Sequence, residues 1–209
     1  MVLLLISGIA MSACTTKDTK NQVSDNPFFN DYGTPFEAPD FDKIKIEHYL
    51  PAYEKAVAEA SAEVIDVGEN KEAPTFENTI VALEKHGDLL NKVNGVFYNL
   101  TAAHTNDSLI AISKEVSPML SKLEDDMYLN DKLFARVEQI WQNREQLEFN
   151  LEQSRLLELY YKNFVRGGAK LDATGKERLR EINQQLSLLS IEFGDNVRNE
   201  TNAFELVIS

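Results

Sequence analysis

Three histidines are the side chains of this sequence best suited to acid–base or metal chemistry, and their spacing leaves each alone. His48 follows Glu47 at the head of an amphipathic stretch, His86 falls on an apolar stripe, and His104 stands among Thr and Asn near a helix end. No second His or Cys lies at ligand spacing, and the sequence holds no His-Glu-x-x-His. Each therefore reads as structural, His104 being also well placed for a helix dipole if protonated. Carboxylates are the next candidates for chemistry. In Glu124-Asp125-Asp126 they are adjacent, so on a helix they diverge by about 100° and form no dyad unaided; the run reads as a solvated helix end. Gly-x-Ser-x-Gly elbows, Gly-rich phosphate loops and paired cysteines are all missing from the sequence. Asn99-Leu-Thr101 and Asn106-Asp-Ser108 fit the glycosylation pattern, which arises often by chance. No catalytic, cofactor-binding or metal residue is assigned to any position.

Cys14 is the only thiol, and its surroundings give it a different use. Val2 to Met11 is an apolar run, well short of the ~18–20 residues that span a bilayer, and it fits the core of a secretory signal. Ser12-Ala13-Cys14 after it resembles the lipobox of bacterial lipoproteins, in which the thiol is diacylated and becomes the mature N-terminus. Residues 1–13 are thus expected to be a lipoprotein signal peptide, Cys14 the lipidation site and residues 14–25 a polar tether. That places the folded part outside the cytoplasm, anchored to a membrane in the periplasm or at the outer membrane. The apolar run lacks a basic leader, so the true start is expected upstream.

Composition narrows the class further. The 209 residues carry 34 acidic against 21 basic side chains, a net charge of −13, which excludes a phosphate-tracking surface and a nucleic-acid partner. Six prolines and nine glycines suit long helices better than a turn-rich sandwich. The periodicity agrees. Leu50, Tyr53, Val57, Ala60, Val64 and Val67 recur at steps of three and four, in a helix starting near Glu47 so that Pro51 falls in its first turn. Thr75 caps a second helix whose stripe runs from Leu83 through His86 to Leu100; at 1.5 Å per residue its ~29 residues to about His104 would span roughly 43 Å. A third follows Asn106-Asp107 and must kink or split at Pro118. A fourth starts at Asp131, and a fifth runs from Asn150 and Gln153 to Gly167-Gly168. The sixth is expected from a capping box Thr174-x-x-Glu177, burying Leu179, Ile182, Leu186, Leu189, Phe193 and Val197. Ahead of them, Asn26 to Pro39 reads as an extended segment whose Phe28, Phe29, Tyr32 and Phe36 lie against the body. Phe204 to Ile208 is strand-like, and an apolar run so close to the last residue leads us to expect a truncated chain.

Several blocks together carry a resemblance. Asn26-Pro-Phe-Phe29, Tyr32-x-Thr-Pro-Phe36, Phe41-Asp-Lys-Ile-x-x-Glu-His-Tyr49 and Ala73-Pro-Thr-Phe-Glu-Asn-Thr-Ile80 look like the opening of bacterial peptidyl-dipeptidases. Val96-Phe-x-Asn-Leu100, Ser117-Pro-x-Leu-Ser121, Phe164-Val-Arg-x-Gly-Ala-x-Leu171, Ile182-Asn-x-x-Leu-Ser187 and Glu200-Thr-Asn-Ala-Phe204 extend the match towards the end. The family is that of peptidyl-dipeptidase, oligopeptidase A and thimet oligopeptidase. Resemblance to it implies a zinc metallopeptidase with a mostly helical, two-lobed body around a deep channel, acting as a monomer on short peptides. It implies zinc in the full-length protein, held by a His-Glu-x-x-His helix and a further Glu that no position here matches. The fold expected for residues 26–209 is therefore all-α, the N-terminal helical lobe walling the channel, inactive alone and binding no cofactor itself. A binding-class alternative stands beside it: a stand-alone helical lipoprotein that captures peptides or a protein partner.

Overall fold

The computed structural model describes residues 25–206, so the signal segment, Cys14, most of the tether, and Val207 to Ser209 lie outside it. The expected all-α architecture forms. Six helices carry the body: α1 (Ile46–Glu69), α2 (Asp88–Ala103), α3 (Asp107–Tyr128), α4 (Asp131–Gln142), α5 (Leu151–Arg166) and α6 (Ala173–Ala203). Among the described residues there is no strand. Phe204, Glu205 and Leu206, the described part of the strand-like segment, take no regular structure, since no neighbouring strand is there to pair with them.

α1 is the axis, packing on α2, α3 and α4, while α4 packs on α5 and α3 on α6. Ala52, Ala56 and Ala60 are fully buried at four-residue spacing, a small-residue ridge that lets neighbouring helices approach closely. Two cores lie along this axis. Towards the start of α1, Phe28, Tyr49, Tyr53, Val93, Phe97 and Leu109 pack together, with Tyr49 and Tyr53 rings edge-on to Phe97 at 5.2 and 5.4 Å. Towards its end, Ile80, Leu83, Leu133, Phe134, Leu157 and Phe164 form the second.

Caps account for most helix starts. Asn106 and Asn130 accept backbone N–H groups at the heads of α3 and α4, and Asn150 and Gln153 cap α5 reciprocally, at 2.8 and 3.1 Å. Four expectations need correction. The second helix does not run as one rod: a π-helical turn (Phe76–Val81) and a short α turn (Ala82–Glu84) follow Thr75, and the helix is then interrupted at Gly87, φ +75°, before α2 begins. Glu63 holds that break by accepting the Gly87 N–H at 2.7 Å. Pro118 does not split α3, which continues through it. α6 is capped by Asp172, whose Oδ1 accepts the Gly175 N–H at 2.7 Å, and not by Thr174. Lastly, residues 26–39 contain two 3-10 turns; Phe28 is buried, but Phe36 is fully exposed at a left-handed φ of 60° that turns its side chain from the body.

Candidate functional site: the trough between α3 and α6

Two faces made of short side chains meet where α6 crosses α3. α3 presents Ser113, Ser117 and Ser121 at four-residue spacing, and α6 presents Asn183, Ser187, Ser190 and Gly194. Such side chains cannot fill the space between packed helices, and two open cavities of ≈ 410 and ≈ 630 Å³ remain. Both are lined by Tyr98, Ser117, Ser187 and Ser190, so they form one trough. Ser117 Oγ donates across it to the Ser187 carbonyl at 3.3 Å.

The two ends of the trough differ in charge. One holds Glu124 and Asp125; at the other, Asp195 is paired with Lys114 at 3.3 Å and Arg198 at 3.2 Å. Asp125 corrects the expectation of a solvated helix end, being only 6% exposed and accepting from Asn183 Nδ2 at 2.6 Å. Its neighbour Asp126 lies on the Arg180 guanidinium at 2.7 Å and also takes Lys122. Glu124 alone of the three is exposed. Burial pushes the Tyr98 and Tyr128 phenols up, and the Glu124 charge adds to the effect on Tyr128.

α6 is rotated relative to the expectation. The side it turns towards α3 carries Asn183, Ser187, Ile191, Asp195 and Arg198, all partly covered, about one residue around from the apolar stripe. Leu186, Leu189, Phe193 and Val197 are consequently exposed, Phe193 by 71%, and the one buried residue of the helix is Lys176. The recurrence of small polar residues at 183, 187, 190 and 194 was the sequence signal for the trough, and the apolar period overshadowed it.

The histidines make local contacts in separate segments. His48 Nδ1 accepts the Lys45 N–H at 3.0 Å, His86 Nδ1 meets the Leu83 carbonyl, and His104 closes α2 with its backbone N–H on the Leu100 carbonyl at 2.7 Å. Among the described residues no group of three or more His, Cys, Asp or Glu could hold a metal ion, so these residues do not fit the zinc that the resemblance implies.

The blocks that carry the resemblance serve the fold. Asn78 Oδ1 accepts the Thr75 N–H at 2.8 Å while Asn78 N–H donates back to Thr75 Oγ1 at 3.1 Å, and Phe76 and Ile80 enter the second core. The buried Arg136 reaches over from α4, donating to the Asn70 and Glu72 carbonyls and to Asn78 Oδ1 at 2.9, 3.0 and 2.8 Å. Asn26 takes the Phe28 N–H and donates to the His48 carbonyl at 2.8 Å, tying the first block to α1. Gly168 turns the chain at φ +98°, where an added Cβ would meet Leu179 Cδ2 at 2.6 Å.

These features define an all-α helical body with an open, hydroxyl-lined trough and no metal-binding cluster among its described residues. The chain is a homologue of the dipeptidyl carboxypeptidases, oligopeptidases A and thimet-like oligopeptidases. It is 39% identical over 184 residues to the dipeptidyl carboxypeptidase of Escherichia coli K12, a match covering 88% of this chain and 27% of that protein. Against oligopeptidase A of the same strain it is 24% identical over 176 residues, 84% of this chain and 26% of the relative. The thimet-like oligopeptidase of Dictyostelium discoideum matches at 27% over 161 residues, 76% of this chain and 23% of the relative. The chain thus spans about a quarter of the length of these curated relatives. No family profile matches it.

Proposed function

We propose that residues 26–206 form a helical wall of the substrate channel of a zinc-dependent peptidase of the peptidyl-dipeptidase type, acting on short peptides. The observation that carries this reading is the match over most of this chain to proteins named as peptidases, together with the open trough that the same residues build. The trough suits an extended peptide, because serine and threonine hydroxyls both donate to and accept from a peptide backbone. The wall's work is confinement and positioning of the substrate. Zinc chemistry falls outside these residues, whose side chains do not fit the metal, and none of the bond-breaking is assigned to them. The exposed stripe of α6 supports a wall within a larger body over a stand-alone binding protein, since water-facing apolar stripes of this size mark surfaces awaiting cover.

The test is photo-crosslinking from p-benzoylphenylalanine placed at Ser187 in the intact polypeptide, with a short labelled peptide. Labelling that excess peptide competes away, and that is missing when the probe sits at the exposed Lys55, is the expected result. Equal labelling from both positions, or none from Ser187, would overturn the reading.

The reading also includes lipid anchoring through Cys14 and a location outside the cytoplasm, supported by Val2–Met11 and Ser12-Ala13 ahead of the cysteine. Among the described residues no helix is long and apolar enough to cross a membrane, so an anchor of this kind would rest on the acyl chains. Partition into the detergent phase on cloud-point separation, lost in Cys14→Ser, is the expected outcome; unchanged partition of the variant would refute it.

A further inference from the structure

Asp125 stands out as a buried acidic residue that forms no ion pair among the described residues. It is only 6% exposed, and a buried carboxylate is destabilising unless a partner neutralises it. The cations nearby are engaged elsewhere: Arg180 at 2.7 Å and Lys122 both go to Asp126, and Lys176 goes to Asp131 and to the Leu129 carbonyl. Asn183 donates to Oδ1, and no side chain among the described residues donates to Oδ2. The residue sits one turn from the end of α3, where the helix dipole disfavours an anion and favours a cation. A burial so poorly arranged for stability lines the ≈ 410 Å³ cavity, with Glu124 in its wall.

We propose that Asp125 is the anchor of a subsite for a cationic group of the peptide, a primary ammonium or a guanidinium, at the acidic end of the trough. Its free oxygen supplies a charge-assisted acceptor, the hydroxyls of Ser121 and Ser190 accept further N–H groups, and Glu124 draws the cation to the mouth. A cation seated there leaves the attached chain free to run past Ser117 and Ser187 towards Arg198. Two sources share this chemistry, a basic side chain and a free peptide N-terminus. The inference rests on the peptide-facing reading of the trough.

The experiment is calorimetric titration of the full chain with Nα-acetyl-arginine methylamide and, as the neutral isostere, the citrulline compound. Tetra-alanine with a free or an acetylated N-terminus forms the second arm. The arginine compound is expected to bind about 10- to 100-fold more tightly than citrulline, the range that one charged hydrogen-bonding partner supplies, and Asp125→Asn to abolish that ratio. Preference for free over acetylated tetra-alanine assigns the subsite to the N-terminus; preference confined to arginine assigns it to a side chain. Ser190→Trp, which fills the cavity from an exposed position while keeping the carboxylate, should weaken the arginine compound at least several-fold and serves if Asp125→Asn does not fold. Equal binding of arginine and citrulline together with equal binding of free and acetylated tetra-alanine by the wild type, or an undiminished preference in Asp125→Asn, overturns the subsite. Acetylated tetra-alanine that binds in either case keeps the peptide-facing reading standing when the cation subsite fails. Arginine binding without crosslinking of any neutral peptide from Ser187 does the reverse.

Discussion

Arg136→Met should lower stability more than any exposed charge removal, because the guanidinium closes the joint between α1, the π-helical turn and α4. The side chain donates to Asn70 O, Glu72 O and Asn78 Oδ1 at 2.9, 3.0 and 2.8 Å, and Met keeps most of its apolar stem while removing all three bonds. Hydrogen bonds to a charged group contribute about 1.5–3 kcal/mol each. The sum is an upper bound for two reasons. Glu72 is exposed, so water takes up its carbonyl at little cost. Burial already disfavours the charged arginine, holding its pKa below the usual value against an opposing pull from Glu72, and Met relieves that desolvation. A net loss of about 2–4 kcal/mol remains, a large part of the ~5–15 kcal/mol that holds a domain folded. With a urea dependence of about 2 kcal/mol per molar, the unfolding midpoint followed by circular dichroism should fall by roughly 1–2 M. A double-mutant cycle with Asn78→Ala isolates the shared bond, with a coupling of about 0.5–3 kcal/mol. A midpoint that moves by less than ~0.3 M, or rises, would refute the closing role of the guanidinium.

Other consequences follow from single atoms. The Tyr49 hydroxyl is buried without a hydrogen-bond partner among the described residues, so Tyr49→Phe should be neutral or stabilising by up to ~1 kcal/mol in urea unfolding, where a bonded hydroxyl would cost that much. Burial, reinforced by Tyr49, pushes the Tyr32 phenol from 10.0 up to about 12. A raised acid pKa favours the neutral form in the fold, so this contribution is complete below about pH 10 and disappears as pH rises through about 12; Tyr32→Phe should flatten the stability loss over that window. Asp172→Ala should cost α6 about 1 kcal/mol and Thr174→Ala less than ~0.5, and the reverse order in thermal melts would restore Thr174 as the cap. Gly168→Ala must hold φ +98° with Cβ against Leu179, a strain of about 1–3 kcal/mol that should appear in the same melts. Phe193→Glu, at an exposed position, should leave the midpoint within ~0.5 kcal/mol while reducing self-association in sedimentation.

How much of this was legible depended on whether a local signal had a tertiary competitor. The caps Thr75, Asn106 and Asn150 act within three residues of themselves, and all three were readable from spacing or composition, whereas the expected start at Asp131 passes over Asn130, which caps α4 in the same way. The break at Gly87 was not, because the Glu63 carboxylate that holds it comes from another helix, while the apolar period of Leu83, Leu90 and Val93 continues across it. The same limit hid Asp125. Its run looks solvated in one dimension, and only the arrival of Asn183 from α6 covers it. The stripe of α6 misled in the opposite sense. A period of 3.6 locates the apolar face of a helix and says nothing of whether this body is what covers it.

That last point bears on what the resemblance means. Identity of 39% to a dipeptidyl carboxypeptidase could reflect shared chemistry or shared architecture. In this chain the recognisable blocks resolve into a π-turn cap, the Asn78 oxygen that Arg136 engages from α4, an asparagine tying Phe28 to α1 and a glycine turn. Each of these specifies geometry, and none presents a nucleophile, a base or a metal ligand to open space. The side chains that face open space divide: Ser117 and Ser187 fall within the blocks, whereas Ser190 and the acid pair Glu124 and Asp125 lie outside them. Fold specification and the lining of the trough thus overlap at the two serines and part at the acidic end. Substitutions of Ser190 and Glu124 should therefore change binding with little cost in stability, and substitutions of Asn26, Asn78 and Gly168 should do the opposite.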